Sequence, residues 1–394
     1  MVQVYASKNN CCGCGGCVSV CPRNAISMQE DKNGFIYPVI DQKNCIDCKL
    51  CSKQCAYTKK MEASTPIATY AAASKDEVTL HKSASGGIFT ELAKHFLNDG
   101  CVVGAATHYY KEELKVSHII VDTADRLSFV QGSKYVQSEL SCYEDIRRIL
   151  EAGKKCLFSG TPCQVAEVKR VFKKYSDLLY TVDIICHGVP NQKFFNSYLN
   201  ELKKKDELVS FFFRDKKYGW GLNASADLVD SQGNKKHIPI APINSSYYMY
   251  FLKGEIYREN CYSCPYASTS RCGDITIGDY WGVEEFNPEL LVSNGGQLDD
   301  KAGISCVLIN SEKGSELFED VKDSFVFYPV KLDDVIVYNH QLSKPTTCSN
   351  DRKNIFSIYN MFGYKGVELY YRLSIYVRRY VNALKKRILR IDGV

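Results

Sequence analysis

The feature that most constrains this 394-residue chain is a cysteine pattern that occurs twice. Cys11-x2-Cys14-x2-Cys17-x3-Cys21-Pro22 recurs 34 residues later as Cys45-x2-Cys48-x2-Cys51-x3-Cys55. Three thiolates so close on a tight loop can cap three irons of one cubane. The fourth, read as opening a helix that points away, reaches the other cluster. The spacing assigns Cys11, Cys14, Cys17 and Cys55 to one [4Fe-4S] cluster, and Cys45, Cys48, Cys51 and Cys21 to a second. Gly13, Gly15 and Gly16 suit a loop whose amides turn inward toward sulfur. Structural zinc sites use separated Cys-x2-Cys pairs, four ligands per metal, unlike these two matched quartets. Ala56 stands where the first run has Pro22, without touching a ligand, and Cys12 reads as a bystander.

Residues 1–60 therefore read as an α+β ferredoxin-like domain of the bacterial two-cluster type. Such a domain moves single electrons and has no substrate pocket, so any chemistry lies downstream. A short linker, about residues 59–68, contains Pro66. Helix-like and strand-like patterns then alternate, as in an α/β domain. Ser85-Gly86-Gly87 precedes an apolar stripe of Ile88, Phe89, Leu92, Ala93, Phe96 and Leu97. Free amides at that helix start suit a phosphate, or the serine simply caps the helix. Two strand-to-helix turns carry cysteines: Gly160-Thr161-Pro162-Cys163-Gln164 after a strand at 156–159, and Cys186-His187-Gly188-Val189-Pro190 after a strand at 178–186. Open α/β sheets bind ligands at such carboxyl ends. With Cys261-x2-Cys264-Pro265 these cysteines would complete a third four-thiolate site. Spacing alone leaves that open against ordinary buried cysteines, and Cys272 competes as a ligand.

Six motifs in order resemble the beta-subunit family of coenzyme F420 hydrogenase/dehydrogenase, whose relatives include ferredoxin-dependent reductases of chlorophyll metabolites. They are Ser85-Gly86-Gly87, Gly132-Ser133-Lys134-Tyr135-Val136-Gln137-Ser138, Thr161-Pro162-Cys163-Gln164, Cys186-His187-Gly188, Cys261-Tyr262-Ser263-Cys264-Pro265 and Asp274-Ile275-Thr276-Ile277-Gly278-Asp279-Tyr280-Trp281-Gly282. The resemblance covers roughly residues 70–340. It implies an FAD-binding α/β core with its own [4Fe-4S] cluster on Cys163, Cys186, Cys261 and Cys264. It implies a flavin site at Ser85, Gly86, Gly87, Lys134, Tyr135 and Ser138. Lys134 would offset pyrophosphate charge or stabilise the reduced flavin anion. Cys272 departs from the pattern, and the coenzyme in the family name is not taken as the substrate. His187 is a candidate proton donor or a hydrogen-bonding neighbour of the cluster. Asp279, beside Trp281, is a candidate facing flavin or substrate.

Hydrophobic residues make up 45% and charged residues 24%, as in ordinary globular proteins. No run approaches the roughly 18 apolar residues of a membrane span, and the start lacks a signal-peptide pattern. A cytoplasmic setting is the expectation, where nineteen cysteines read as ligands rather than disulfides. The net charge of +5 is uneven: residues 1–60 hold eight Lys/Arg against four Asp/Glu, and residues 365–394 eight against two. No nucleic-acid motif accompanies either end, so no nucleic-acid partner is expected. The first patch suits an acidic electron-donor ferredoxin. From about Gly366 a helical stripe of Leu369, Leu373, Tyr376, Tyr380, Leu384 and Ile388 is ringed by basic residues. It suits peripheral contact with an anionic membrane, or equally packing on the core. Phe211, Phe212, Phe213, Tyr247, Tyr248 and Tyr250 read as core or subunit interface. The expected organisation is a ferredoxin domain over 1–60, a flavin and iron–sulfur domain over 70–345, and a basic amphipathic helical region over 346–394. The expected function is an oxidoreductase passing electrons from reduced ferredoxin through clusters to FAD and an unidentified small organic acceptor. The alternative is a non-catalytic electron-transfer subunit of a larger hydrogenase/dehydrogenase complex.

Overall fold

A computed structural model describes residues 3–58, 63–98, 100–110 and 113–391, with side chains as far as residue 375. Each cysteine run folds into a loop and one short helix, Gly16–Ser19 or Leu50–Gln54. Between the runs lies an antiparallel hairpin of β1 (Ile26–Glu30) and β2 (Ile36–Ile40). The fourth cysteines do not open helices as expected. Cys17 and Cys51 sit inside the short helices, and Cys21 and Cys55 follow them. Three intervening residues span about one helical turn, so the turn itself carries the fourth thiol away from the first three. The two loops share a backbone course: Gly13 and Gly15 have φ of 67° and 80°, and Asp47 and Lys49, 34 residues later, have 56° and 60°. The backbone course alone does not demand glycine, although L side chains pay for this left-handed conformation; at Gly13 close packing does, since a Cβ would stand 2.9 Å from Ile36 O.

The larger part contains β3 (Ala68–Ser74), β4 (Gly100–Tyr110), β5 (Glu113–Val121), β6 (Lys155–Gly160) and β7 (Leu179–Ile184). After them come β8 (Glu207–Phe212), β9 (Ala224–Val229), β10 (Lys235–Ile240), β11 (Ile275–Asp279), β12 (Ser305–Ile309) and β13 (Phe325–Pro329). Among the described residues, eight strands form one sheet in the order β13-β3-β12-β11-β7-β6-β4-β5. Its centre, β11-β7-β6-β4, is parallel, and the flanking pairs are antiparallel. Alternate side chains feed opposite layers. Val102, Leu157 and Val307 pack with Ile88, Leu92 and Phe318 on one face. Cys101, Val103, Cys156 and Phe158 pack with Ile146, Val165 and Val168 on the other. Burial on both faces explains the nearly continuous apolar runs of the central strands.

Strands β8, β9 and β10 form a separate antiparallel sheet. It packs with the helices Gln192–Lys203 and Ser246–Leu252 in an aromatic core holding Phe211, Phe213, Tyr247, Tyr248 and Tyr250. Phe212, pointing the other way, is exposed. The C-terminal helix, Asp351–Ile391, begins earlier than expected and breaks at Gly363 (φ 64°, ψ −167°). Its packed residues include Ile355, Phe356, Tyr364, Val367 and Tyr371, whereas Leu369 and Leu373 are 60% and 55% exposed. The expected stripe is therefore rotated at its start. The aromatic core takes Tyr364 and Tyr371 instead, because their hydroxyls find partners there in Ser246 Oγ and Ile243 O. The remaining stripe residues lie outside the described side chains. Among the described residues no helix is long and apolar enough to cross a membrane.

One buried ion pair pins the edge of the sheet that matters below. Asp183 on β7 accepts from Arg271 Nη2 at 2.7 Å, Thr276 Oγ1 at 2.6 Å and the Gly273 amide at 2.9 Å. Both side chains are inaccessible, at 0% and 1% exposure. Removing one partner leaves a buried charge unpaired. Asp183→Asn should therefore destabilise the protein by about 3–5 kcal/mol, read as a lower urea midpoint under anaerobic conditions.

Candidate functional site

The structure brings Cys55 beside Cys11, Cys14 and Cys17. Burial pushes the Cys11 thiol up to about 12, with the charges of Cys14 and Cys55 adding. Cys17 is raised further by burial, with Cys14, Cys11 and Cys55 again adding. Cys21, Cys45, Cys48 and Cys51 line a separate small hollow with Pro22, Ile26 and Ile40. The two groups differ in setting. Tyr143 Oη donates to Cys14 O at 3.2 Å and Gln137 Nε2 to Cys12 O at 3.1 Å, which binds the first loop to the large domain. The second group faces outward: Cys48 is exposed, and exposed Ile46, Lys49 and Leu50 surround it. The first group is the inner one and the second the outer one.

A further four thiols line one cavity at the carboxyl edge of the parallel strands. Cys163 lies in the first turn of the helix Pro162–Val171, directly after β6. Thr161 and Gln164 form a capping box there, Gln164 Nε2 also donating to Ser138 O at 3.0 Å. Cys186 follows β7, and Cys261 and Cys264 lie at the short turn Glu259–Ser263. Burial raises Cys186, and the charges of Cys261, Cys163 and Cys264 add to it. Burial likewise pushes Cys264 up to about 12, with Cys163 and Cys261 adding. Cys272 does not join them: its thiol donates to Pro162 O at 3.1 Å inside the core. Cys12, read from the sequence as a bystander, is buried on the cavity wall with Cys163. Cys14 and Cys163 raise its thiol pKa, and it lowers that of Cys163. Cys12 therefore lies near both the inner group and the core group.

The same edge opens into a cavity of about 340 Å3, within the size range of cofactor pockets. Its walls include Ser85, Gly87, Lys134, Tyr135, Ser138, His187 and Asp279, together with Cys163, Cys186, Cys261 and Cys264. Gly86 is not on the wall. Its amide donates to Ser305 Oγ at 2.9 Å, and a Cβ there would stand 2.4 Å from Ala72 O. Ser85 caps no helix: its hydroxyl donates to Ile304 O, and Gly87 occupies the cap position at φ 83°. The Lys134 ammonium donates to the carbonyls of Gln131 at 2.6 Å, Gly132 and Phe129, and burial pushes its pKa down to about 7. Tyr135 stacks on Phe251 at 4.5 Å. Asp279 accepts from Arg214 Nη1 at 2.6 Å and Trp220 Nε1 at 3.0 Å, and Trp220 stacks on Trp281 at 4.6 Å. Burial lowers His187.

Residues 10–59 match the 4Fe-4S dicluster domain. Residues 69–142 and 153–334 match the N-terminal and C-terminal parts of the coenzyme F420 hydrogenase/dehydrogenase beta subunit. The chain belongs to the coenzyme F420 hydrogenase/dehydrogenase beta subunit family. Within that family this member is an iron–sulfur protein with a redox role. An uncharacterized ferredoxin of Methanocaldococcus jannaschii is 35% identical over 54 residues, 14% of this chain and 69% of that protein. A second uncharacterized protein of the same organism is 23% identical over 198 residues, 43% of this chain and 55% of that protein. Among solved structures, a chain of the F420-reducing [NiFe] hydrogenase complex from Methanosarcina barkeri is similar at TM-score 0.46 and 17% identity, over 75% of this chain and 94% of that one.

Several wall residues of this beta-subunit-family member carry no local signature. Arg214 and His118 stand alone in the sequence, whereas Gln164 was marked by the Thr-x-x-Gln capping pattern. His118 is buried between Ser138 Oγ, 2.9 Å from Nδ1, and Ser159 O, 3.0 Å from Nε2, and stacks on Phe158. An Nε2–H donating to Ser159 O leaves Nδ1 to accept from Ser138. Burial pushes its pKa down to about 4. The unfolded chain takes up this proton near 6.5, so folded stability falls as pH drops through the window between 6.5 and about 4. His118→Gln should lack that slope. The difference between the two stability curves should approach about 3 kcal/mol at the acid end, measured by urea denaturation at a series of pH values.

Proposed function

We propose that the chain is an iron–sulfur flavoprotein oxidoreductase carrying electrons from a reduced ferredoxin to FAD and on to an organic acceptor. The observation that supports this best is the meeting of Cys163, Cys186, Cys261 and Cys264 on the wall of the same cavity that displays Ser85, Gly87, Tyr135 and Ser138. The residues suit a flavin nucleotide. Arg214 Nη2 is buried on that wall without a hydrogen-bond partner among the described residues, a donor fit for an anionic group. Tyr135, Trp281 and Tyr266 supply aromatic surface. FAD, when bound, couples one-electron to two-electron transfer, and the clusters relay single electrons.

The chain's own groups then have distinct parts. Lys134 holds the 129–134 turn by its three carbonyls rather than offering a free ammonium. Asp279 fixes Arg214 and the paired tryptophans. His187, its pKa lowered by desolvation, presents an imidazole to the cavity as the proton-handling group. The outer group is the entry point: Lys43, Lys49 and Lys53 are exposed around Cys48 and Ile46. Lys8, by contrast, is engaged with Asp31, and Lys59 and Lys60 lie outside the described residues. An acidic ferredoxin fits that rim. Exposed Leu369 and Leu373 and the basic 365–394 segment support peripheral contact with an anionic membrane surface. A second reading, a relay subunit serving a separate catalytic protein, is favoured by the family's description as a beta subunit. It predicts that the purified chain, given reductant, turns over no small molecule alone.

Anaerobically purified protein should hold about twelve irons, four per cubane, and one FAD. Cys163→Ser, Cys186→Ser or Cys264→Ser should each lower the iron by about four, and Cys272→Ser should not. Loss of iron in Cys272→Ser but not in Cys163→Ser would reverse the ligand assignment. Reduction by an acidic ferredoxin should slow as salt rises above about 0.1 M, where charge is screened within about 10 Å. In stopped-flow measurements, Lys49→Glu with Lys53→Glu should slow it several-fold at low salt. A rate indifferent to both would mean that electrons enter elsewhere.

A further inference from the structure

Arg258 heads the fully buried side chains of the described structure, at 0% exposure. Its guanidinium donates to Gln137 Oε1 at 2.9 Å, Ile36 O at 3.0 Å, Cys11 O at 3.1 Å and Asn260 Oδ1 at 3.2 Å. Its Cζ lies 4.4 Å from the centre of the Tyr37 ring. All of these partners are neutral. Arg271 and Arg214, also deeply buried, are each matched by a carboxylate, Asp183 at 2.7 Å and Asp279 at 2.6 Å. A buried guanidinium without a counter-charge is costly, and neutral acceptors offset only part of that.

The position of this cation indicates where its counter-charge lies. Its head holds the carbonyl of Cys11, and a Cβ on Gly13 would stand 3.1 Å from Cζ. Its backbone is the base of the other thiol group: the Cys261 amide donates to Arg258 O at 3.1 Å. One cation thus sits between the inner N-terminal thiols and the core thiols. A four-thiolate iron–sulfur cluster is a net anion whose potential follows the charges around it.

We propose that Arg258 is the shared counter-cation of the inner N-terminal cluster and the core cluster, raising the reduction potentials of both so that electrons entering at the outer cluster run inward. The core half of this proposal rests on reading Cys163, Cys186, Cys261 and Cys264 as ligands, and the inner half on the dicluster domain alone. Arg258 is a positioning residue in this scheme, acting on potential and not on bonds.

The test is an EPR-monitored redox titration of the anaerobically purified full-length chain, with iron counted on the same samples. Arg258→Met should move two of three midpoints negative by at least a tenfold change in the reduction equilibrium, about 59 mV for one electron. The outer cluster should stay in place, and Arg258→Lys should restore most of the shift. Gln137→Glu sets a carboxylate against the intact guanidinium and should move the same two midpoints in the same direction, which keeps the question open to test if Arg258→Met does not fold. Unmoved midpoints in Gln137→Glu, and in any folded Arg258→Met protein with its iron intact, would overturn the proposal. An iron count of about eight in the wild-type chain would remove the core cluster, and the inner half would then stand or fall on a single midpoint.

Discussion

The rest of the structure depends on the parallel pairing of β6 with β7, in which Ser159 lies opposite Val182 and Gly160 opposite Asp183. Parallel strands end on one edge, so whatever follows them emerges on one side of the sheet. Cys163 and Cys186 follow β6 and β7, and that pairing alone makes them neighbours. The third contributor, the 261–274 segment, meets Ser64 in an isolated antiparallel bridge at Arg271 before it reaches β11. It is held at the same edge by the Asp183–Arg271 pair, with Arg271 also donating to Tyr266 O, Ser268 O and Ile184 O. A buried charge pair is costly to make and more costly to break, which suits a loop that must present two thiols at fixed spacing.

The N-terminal segment is not a bead on a tether. The Ala56 amide donates to Glu167 Oε2 at 2.7 Å, Tyr266 Oη donates to Ala56 O at 2.6 Å, and Tyr57 Oη donates to Asn260 O at 2.9 Å. Glu167 itself is buried beside Cys17, and burial pushes its carboxyl up to about 7. Its close approach depends on Gly16, where a Cβ would stand 2.1 Å from Glu167 Oε1. Buried polar bonds of this kind fix one docking geometry, since any slippage leaves donors and acceptors unpaired. The result is a one-way order in space: outer thiols at the surface, inner thiols against the core, then core thiols on the cavity wall.

Much of this was legible in the sequence where the information is local. The two cysteine runs mark residues 10–59 as a dicluster domain, because ligand spacing and one helical turn are set within a dozen residues. The strand-to-helix turns at Cys163 and Cys186, the Thr161–Gln164 cap and the aromatic core around Tyr247 and Phe211 were readable for the same reason. The start of the C-terminal helix was missed. Its first turns pack through Ile355 and Phe356, and beyond Gly363 through the hydroxyl-bonded Tyr364 and Tyr371, not by the aliphatic periodicity of Leu369 and Leu373.

What the sequence by itself determined was the cofactor chemistry of the N-terminal segment and the class of the core, since both are written in residue types at short spacing. Tertiary structure alone decided that Cys12 lies on the cavity wall beside Cys163, that Cys272 belongs to the core and that His118 and Arg214 line the cavity. It also decided that Arg258 stands between the inner and core thiols with no carboxylate partner among the described residues. Such contacts link residues from 20 to 247 positions apart. No spacing rule encodes them, because they follow from strand order and from the requirement that every buried polar group find a partner once the layers close.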